Sequence, residues 1–250
     1  MAREERVLMK ALKILKKRRD HFLHMLMAFV GGTTAGYALL VRGEFAQAQT
    51  ANLAKLFLNL TAGSVHQEAL ECLVAAIVFA AGLTAAHLIK RWQPKERCEI
   101  VCILVEAVFI FLEGFVPDGT PVMPACWLIF TLTAYQWGTF AGVEGYNCST
   151  IFSSNNFKQA LFGWLDYAMD KDKAKLHRAA FYSLTLVMFY SAVSVQGLFA
   201  GFFGTRTVWL AFAPLAVSAV IWLLAGSIEE EKEEHFEEGP ENFGVGTSEL

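Results

Sequence analysis

Apolar positions in this chain come in long blocks rather than in alternation. Runs of about 20 residues, the length of helix that crosses the ~30 Å hydrocarbon core of a bilayer, cover Phe22 to Val41, Ala69 to Ile89, Glu99 to Val116, Cys126 to Gly145, Ala179 to Phe203 and Val208 to Gly226. The pattern predicts six transmembrane helices. Two polar stretches interrupt it, "FAQAQTANLAKLFLNL" from Phe45 to Leu60 and "TIFSSNNFKQALFGWL" from Thr150 to Leu165.

Composition agrees with a membrane protein. Hydrophobic residues make up 55% of the chain and charged residues 18%, against about a quarter charged in soluble domains. A cleavable signal peptide is not expected, because no small-residue cleavage site follows the first apolar run. Lys and Arg concentrate in "MAREERVLMKALKILKKRRD", in "KRWQPKER" at Lys90 to Arg97 and in "DKDKAKLHR" at Asp170 to Arg178, whereas "PDGTPVMP" at Pro117 to Pro124 and "GTRT" at Gly204 to Thr207 share one Arg. Positive loops stay cytoplasmic, so both termini are expected in the cytoplasm, provided that neither polar stretch crosses completely.

The two interruptions resemble one another. Setting Asn52 against Asn156, a shift of 104 positions (156 − 52), pairs Thr50 with Ser154, Leu53 with Phe157 and Leu60 with Trp164. A Gly/Thr-rich span end precedes each ("GGTTAGY" and "QWGTFAG"), and a span with small residues four apart follows each (Gly82/Ala86 and Gly197/Gly201). The chain thus divides into a basic amphipathic segment (1–21), a first membrane unit (22–116), an external loop (117–124), a second unit (125–226) and an acidic tail expected to be disordered (227–250). Three spans per unit is an odd number, so the second unit would enter the membrane inverted, each unit carrying a re-entrant or broken half-helix. The alternative is an amphipathic helix in the headgroup region. Leu53, Leu56, Phe57 and Leu60 follow an i, i+3, i+4, i+7 pattern that suits it equally.

At these residues the chain resembles the YoaK family of bacterial membrane proteins, whose domain has no established function. The resemblance lies in Gly31-Gly32, in Gln49 to Leu53, in Gly82, in Gln136 and in Ser154 to Lys158, and extends over about Phe22 to Gly226. It implies a multi-pass protein of the bacterial inner membrane. Where the family often has Asp after the first Gly pair this chain has Thr33-Thr34, and where the family has Gly in the breaks it has Ala51 and Asn155.

The candidate binding residues are Gln47, Gln49, Thr50, Asn52, Gln136, Ser154 and Asn156, neutral donors and acceptors that the repeat would gather near the midplane. Half-helices starting near Thr50 and Ser154 would add partial positive charge there, favouring a polar or anionic solute. Each Asn or Ser taken singly reads equally as a helix cap. Glu106 is an intramembrane carboxylate, with Lys55, Lys158, His24 and Arg42 as the conceivable partners. Such a group marks a polar pathway or a paired charge, or is neutral and serves packing alone.

Five dispersed cysteines without Cys-x-x-Cys, scattered histidines and the absence of nucleophile or phosphate-loop motifs argue for no metal, no cofactor and no enzyme. The expected partners are the lipid bilayer and an unidentified small molecule or ion, with a homodimer compatible and nucleic acid excluded. The sequence therefore reads as an all-α membrane protein that transports a small polar or anionic solute. The rival is a non-transporting scaffold, assembly factor or sensor.

Overall fold

The structure is a computed structural model that describes residues 14, 17–47, 49–62 and 66–237. Most of the basic segment 1–21 lies outside the described residues. The first unit comprises α1 (Arg19–Tyr37), which widens into a π turn over Ala38–Arg42, then α2 (Gln49–Ala62), α3 (His66–Trp92) and α4 (Lys95–Glu113). The second comprises α5 (Trp127–Thr139), entered through a turn at Val122–Ala125, then α6 (Ser154–Asp170), α7 (Lys173–Phe203), a 3-10 segment (Gly204–Ala211) and α8 (Phe212–Glu237). Between α5 and α6 the two-residue strands β1 (Gly142–Val143) and β2 (Tyr146–Asn147) pair antiparallel.

Local chemistry sets the boundaries. Pro94 fixes the backbone just before α4, and the Asp172 carboxylate accepts the Ala174 N–H at 2.9 Å to cap α7. Gly43, with φ of 78°, closes the π turn in a left-handed conformation that a side chain would oppose. α8 runs to Glu237, past the expected start of the tail at 227, because Glu and Lys are strong helix formers. Residues 238–250 lie outside the described residues.

Among the described residues, Arg19–Arg42, Gln67–Trp92 and the Lys173–Ala225 stretch are long and apolar enough to cross a membrane. α5 is shorter than the span expected over Cys126 to Gly145. Its 13 residues rise about 20 Å, and it stops at Phe140, where the chain turns into the β hairpin.

The helices are inside-out by the standards of a soluble protein. On α2 only Asn52 and Leu56 are buried, while Leu53, Phe57, Leu58 and Leu60 are exposed. On α6, Asn156, Ala160 and Gly163 face the protein and Phe157, Leu161 and Trp164 face away. α3 likewise exposes Leu70, Leu73 and Ile77. So continuous an apolar exterior needs a lipid solvent, and the chain is a helical membrane protein.

α1 packs along α7 and α3 along α5; α2 lies on α3, α6 on α7, α8 on both α1 and α4, and α4 on α5. Small residues permit the closest approaches. A Cβ at Gly32 would lie 2.1 Å from the Phe189 carbonyl oxygen, and one at Gly82 would lie 2.4 Å from that of Thr131. Gly82 and Ala86 both serve the α3–α5 contact, whereas Gly197 and Gly201 meet nothing within 4 Å. In the second interface the small residues stand on the partner helix instead, as Gly32 and Gly36 of α1.

Candidate binding site where two polar breaks meet α1

The segments that lead into α2 and α6 converge on one place, the Gly31 turn of α1. From the first segment, the Gln47 amide nitrogen donates to the Gly31 carbonyl at 3.0 Å and to Thr34 Oγ1 at 3.1 Å. From the second, the Thr150 carbonyl presses on Gly31 so closely that a Cβ there would lie 2.1 Å from its oxygen. Gln136 of α5 completes the junction, donating to the Met27 carbonyl at 2.7 Å and to Thr150 Oγ1 at 3.0 Å. Gln47 and Gln136 therefore grip α1 at carbonyls four residues apart, about one helical turn.

The geometry leaves hydrogen-bonding capacity unused. Gln47 and Gln136 are both 0% exposed, and the Oε1 of each has no partner. Asn52, in the first turn of α2, is also 0% exposed, and neither of its amide atoms is bonded. Both amide atoms of Gln49 are buried and unbonded as well. A buried polar group without a partner costs roughly 1–3 kcal/mol in proteins, so the unbonded atoms of Gln47, Gln49 and Asn52 at the start of α2, and the Gln136 Oε1 on α5, are hydrogen-bonding sites still open.

The second break is closed by its own side chains. Asn156 accepts the Ser149 N–H at 3.2 Å and donates to the carbonyls of Ser149 at 2.6 Å and Phe152 at 3.1 Å. Ser149 Oγ accepts the N–H groups of Ile151 and Phe152, each at 3.2 Å. The structure thus brings Gln47 and Gln136 together on α1 and places Gln49 and Asn52 at the start of α2. Asn156 is engaged in its own loop, and Thr50, Ser154 and Lys158 are exposed.

The charged residues resolve differently from the pairs that the sequence offered. Lys55 forms an ion pair with Glu44. Arg42 pairs with Glu113, Nη2 to Oε1 at 3.1 Å, and also donates to the carbonyls of Val116 and Pro117. The Tyr37 hydroxyl donates to the same carboxylate at 2.9 Å. His24 is buried against the Phe181 ring, with centroids 5.2 Å apart. Glu106 meets none of these cations; it accepts from Cys102 Sγ at 3.4 Å.

α2 and α6 each also border a surface cavity. Glu44, Lys55, Asn59, Glu68 and Glu71 line one of about 530 Å³ beside α2. Asn147, Asn155, Gln159, Arg178 and Tyr182 line one of about 330 Å³ beside α6. The first is acidic and the second carries an arginine. All five cysteines are buried and free, and among the described residues no group of three or more His, Cys, Asp or Glu could hold a metal ion.

Thr34, Thr150 and Glu113 belong to these networks but did not stand out in the sequence. Thr150 had a legible signal in its place at the head of the second break. The Glu113 pair had one too: it stands seven residues from Glu106, on the same helix face.

A helical membrane protein with two polar breaks joined on one helix is the class that fold and site define. The chain belongs to the family described as "Protein of unknown function (DUF1275)", which matches residues 23–221 and bears out the resemblance to the YoaK proteins. No curated protein and no solved structure matches the chain.

Proposed function

We propose that the chain is a transporter or channel of the bacterial inner membrane for a small polar or anionic solute, which binds at the start of α2 against the Gly31 turn of α1. The observation that carries this reading is the convergence of both polar breaks on Gly31 together with the unbonded amides of Gln49 and Asn52 and the free Oε1 atoms of Gln47 and Gln136. Irregular backbone at membrane depth persists where protein or a water-filled cavity satisfies it. The free acceptors and donors, with the partial positive charge at the start of α2, suit a solute that both gives and takes hydrogen bonds.

In this reading α1, α3, α4, α5, α7 and α8 are six spans, with α2 and α6 as re-entrant half-helices in two inverted units and both termini in the cytoplasm. Support comes from the packing pattern. Exchanging α1 to α4 with α5 to α8 turns the α1–α7 contact into α5–α3, the α2–α3 contact into α6–α7 and the α8–α1 contact into α4–α5, all of which occur. The cavities beside α2 and α6 exchange in the same way and would be the two vestibules. Inverted units around a central site are the recurring construction of secondary transporters.

The scaffold or sensor reading has one observation in its favour, the complete bonding of Asn156 within its own loop. Ligand-dependent thermal stabilisation separates the two. A solute that binds only the folded state at 100 times its Kd stabilises by about 2.7 kcal/mol. Purified protein screened against small anions, cations, amino acids and sugars should be stabilised by at least one class. A flat response across all of them would favour the scaffold.

A further inference from the structure

Three carboxylates lie along α4 at intervals of seven residues, Glu99, Glu106 and Glu113, all of them buried. Seven residues advance a helix by about 10.5 Å and bring the side chain back to within about 20° of the same face. The stripe therefore runs nearly the whole length of α4. Its two outer members are clasped by α1: Arg19 pairs with Glu99 at one end, and Arg42 pairs with Glu113 at the other. Lys95 and Asp20 extend the first clasp, and Tyr37 extends the second.

Among the described residues the middle member has no cation. Glu106 is 0% exposed, Cys102 is its one bonded neighbour, and its Oε2 has no partner. From the elements packed against α4, α5 contributes Tyr135, whose buried hydroxyl is also unbonded and which lies within electrostatic reach of Cys102 and Glu106. α8 has no titratable side chain between residues 212 and 225. The 3-10 segment has Arg206, which lies over the Trp209 ring, and the end of α3 nearest α4 has His87, Arg91 and Lys90, the last held by the carbonyls of Gly138 and Thr139.

An unpaired carboxylate oxygen in the bilayer interior needs a ligand. A metal cation would ask for several oxygens around one point, and a single carboxylate beside a thiol and a phenol does not provide them. A proton asks for one. We infer that Glu106 is a proton-binding site in the membrane interior, loaded and unloaded through the clasped ends of α4 when the Arg19–Glu99 or Arg42–Glu113 pair opens. The phenol of Tyr135, within electrostatic reach of the carboxyl, is a group that can donate to it or accept from it if it swings into contact. The site does not depend on the solute reading, since a sensor or scaffold with the same stripe would also titrate.

Infrared difference spectroscopy of the full chain in lipid nanodiscs, stepped from acid to alkaline pH, tests this without any solute. The wild type should show the carbonyl band of a protonated carboxyl group that grows on acidification and shifts in heavy water. Glu106→Gln, which keeps size and shape, should remove the part of that band that persists when Glu99 and Glu113 are both replaced by Gln. Tyr135→Phe, which keeps the ring, should shift it. Glu99→Gln and Glu113→Gln should retain the band and exchange its proton faster, because each opens one clasp. The inference is overturned if no band titrates in the wild type, if adding Glu106→Gln to Glu99→Gln with Glu113→Gln leaves the titrating band unchanged, or, should the Glu106 variant not fold, if Tyr135→Phe leaves the band identical to that of the wild type.

Discussion

Asn52, the fourth residue of α2, and Asn156, the third of α6, correspond in the repeat, yet their surroundings differ. Asn156 holds three backbone groups of its preceding loop, and Asn52 holds none. Removing a partner from a buried donor or acceptor costs about 1–3 kcal/mol, whereas removing an unbonded buried amide relieves a cost. Asn156→Ala should therefore lower unfolding stability by about 1–3 kcal/mol, and Asn52→Ala should leave it unchanged or raise it. Chemical denaturation in detergent reads the difference. With a stabilising solute in hand, Asn52→Ala should abolish the thermal shift and Asn156→Ala should retain it; equal losses of stability in both variants would count against the asymmetry.

At the scale of elements, α1 and α4 are held together by side chains at both ends, and the Arg42–Glu113 clasp is almost fully removed from solvent. Breaking a buried pair by deleting one charge costs about 3–5 kcal/mol, because the other is stranded, while replacing both with apolar residues is often neutral or better. Arg42→Met should therefore destabilise strongly, and Arg42→Met with Glu113→Leu should recover most of the loss in the same denaturation assay. A double variant as unstable as the sum of the singles would mean that Arg42 acts mainly through the Val116 and Pro117 carbonyls. The element scale also explains the orientation of α2. Its apolar stripe was legible from spacing, but Leu53, Phe57 and Leu60 face outward while Leu56 and Asn52 face the protein, because apolar side chains facing lipid gain little from burial.

For the whole molecule the decisive question is which loops share a side of the membrane. In the proposed arrangement α2 and α6 turn back rather than cross, which the convergence of both breaks on Gly31 of α1 supports. Single cysteines at Gly119 and Thr205 should then react with an impermeant maleimide from outside intact cells, and those at Gln93 and Lys173 only after the membrane is opened. The native cysteines are buried and free, so they should add little background. Outside labelling at Gln93 would mean that α2 crosses fully and would end the inverted-unit proposal.

The sequence by itself determined that this is a helical membrane protein and that two polar interruptions resemble one another. These properties follow from local chemistry: apolar run length against bilayer thickness, helix propensity, and the spacing of small and polar residues. Only the tertiary structure decided that Gln47 and Gln136 grip the same helix, that Arg42 belongs to Glu113 rather than Glu106, and that Asn156 is bonded while Asn52 is not. It also stopped α5 at Thr139, short of the apolar run that contains it. The physical reason is that a polar group in lipid takes whichever partner packing brings within about 3 Å, and distance along the chain does not encode that proximity. Gly31 shows the division most plainly. Its lack of a side chain is written in the sequence, but the Thr150 carbonyl that fills the space arrives from residues far down the chain.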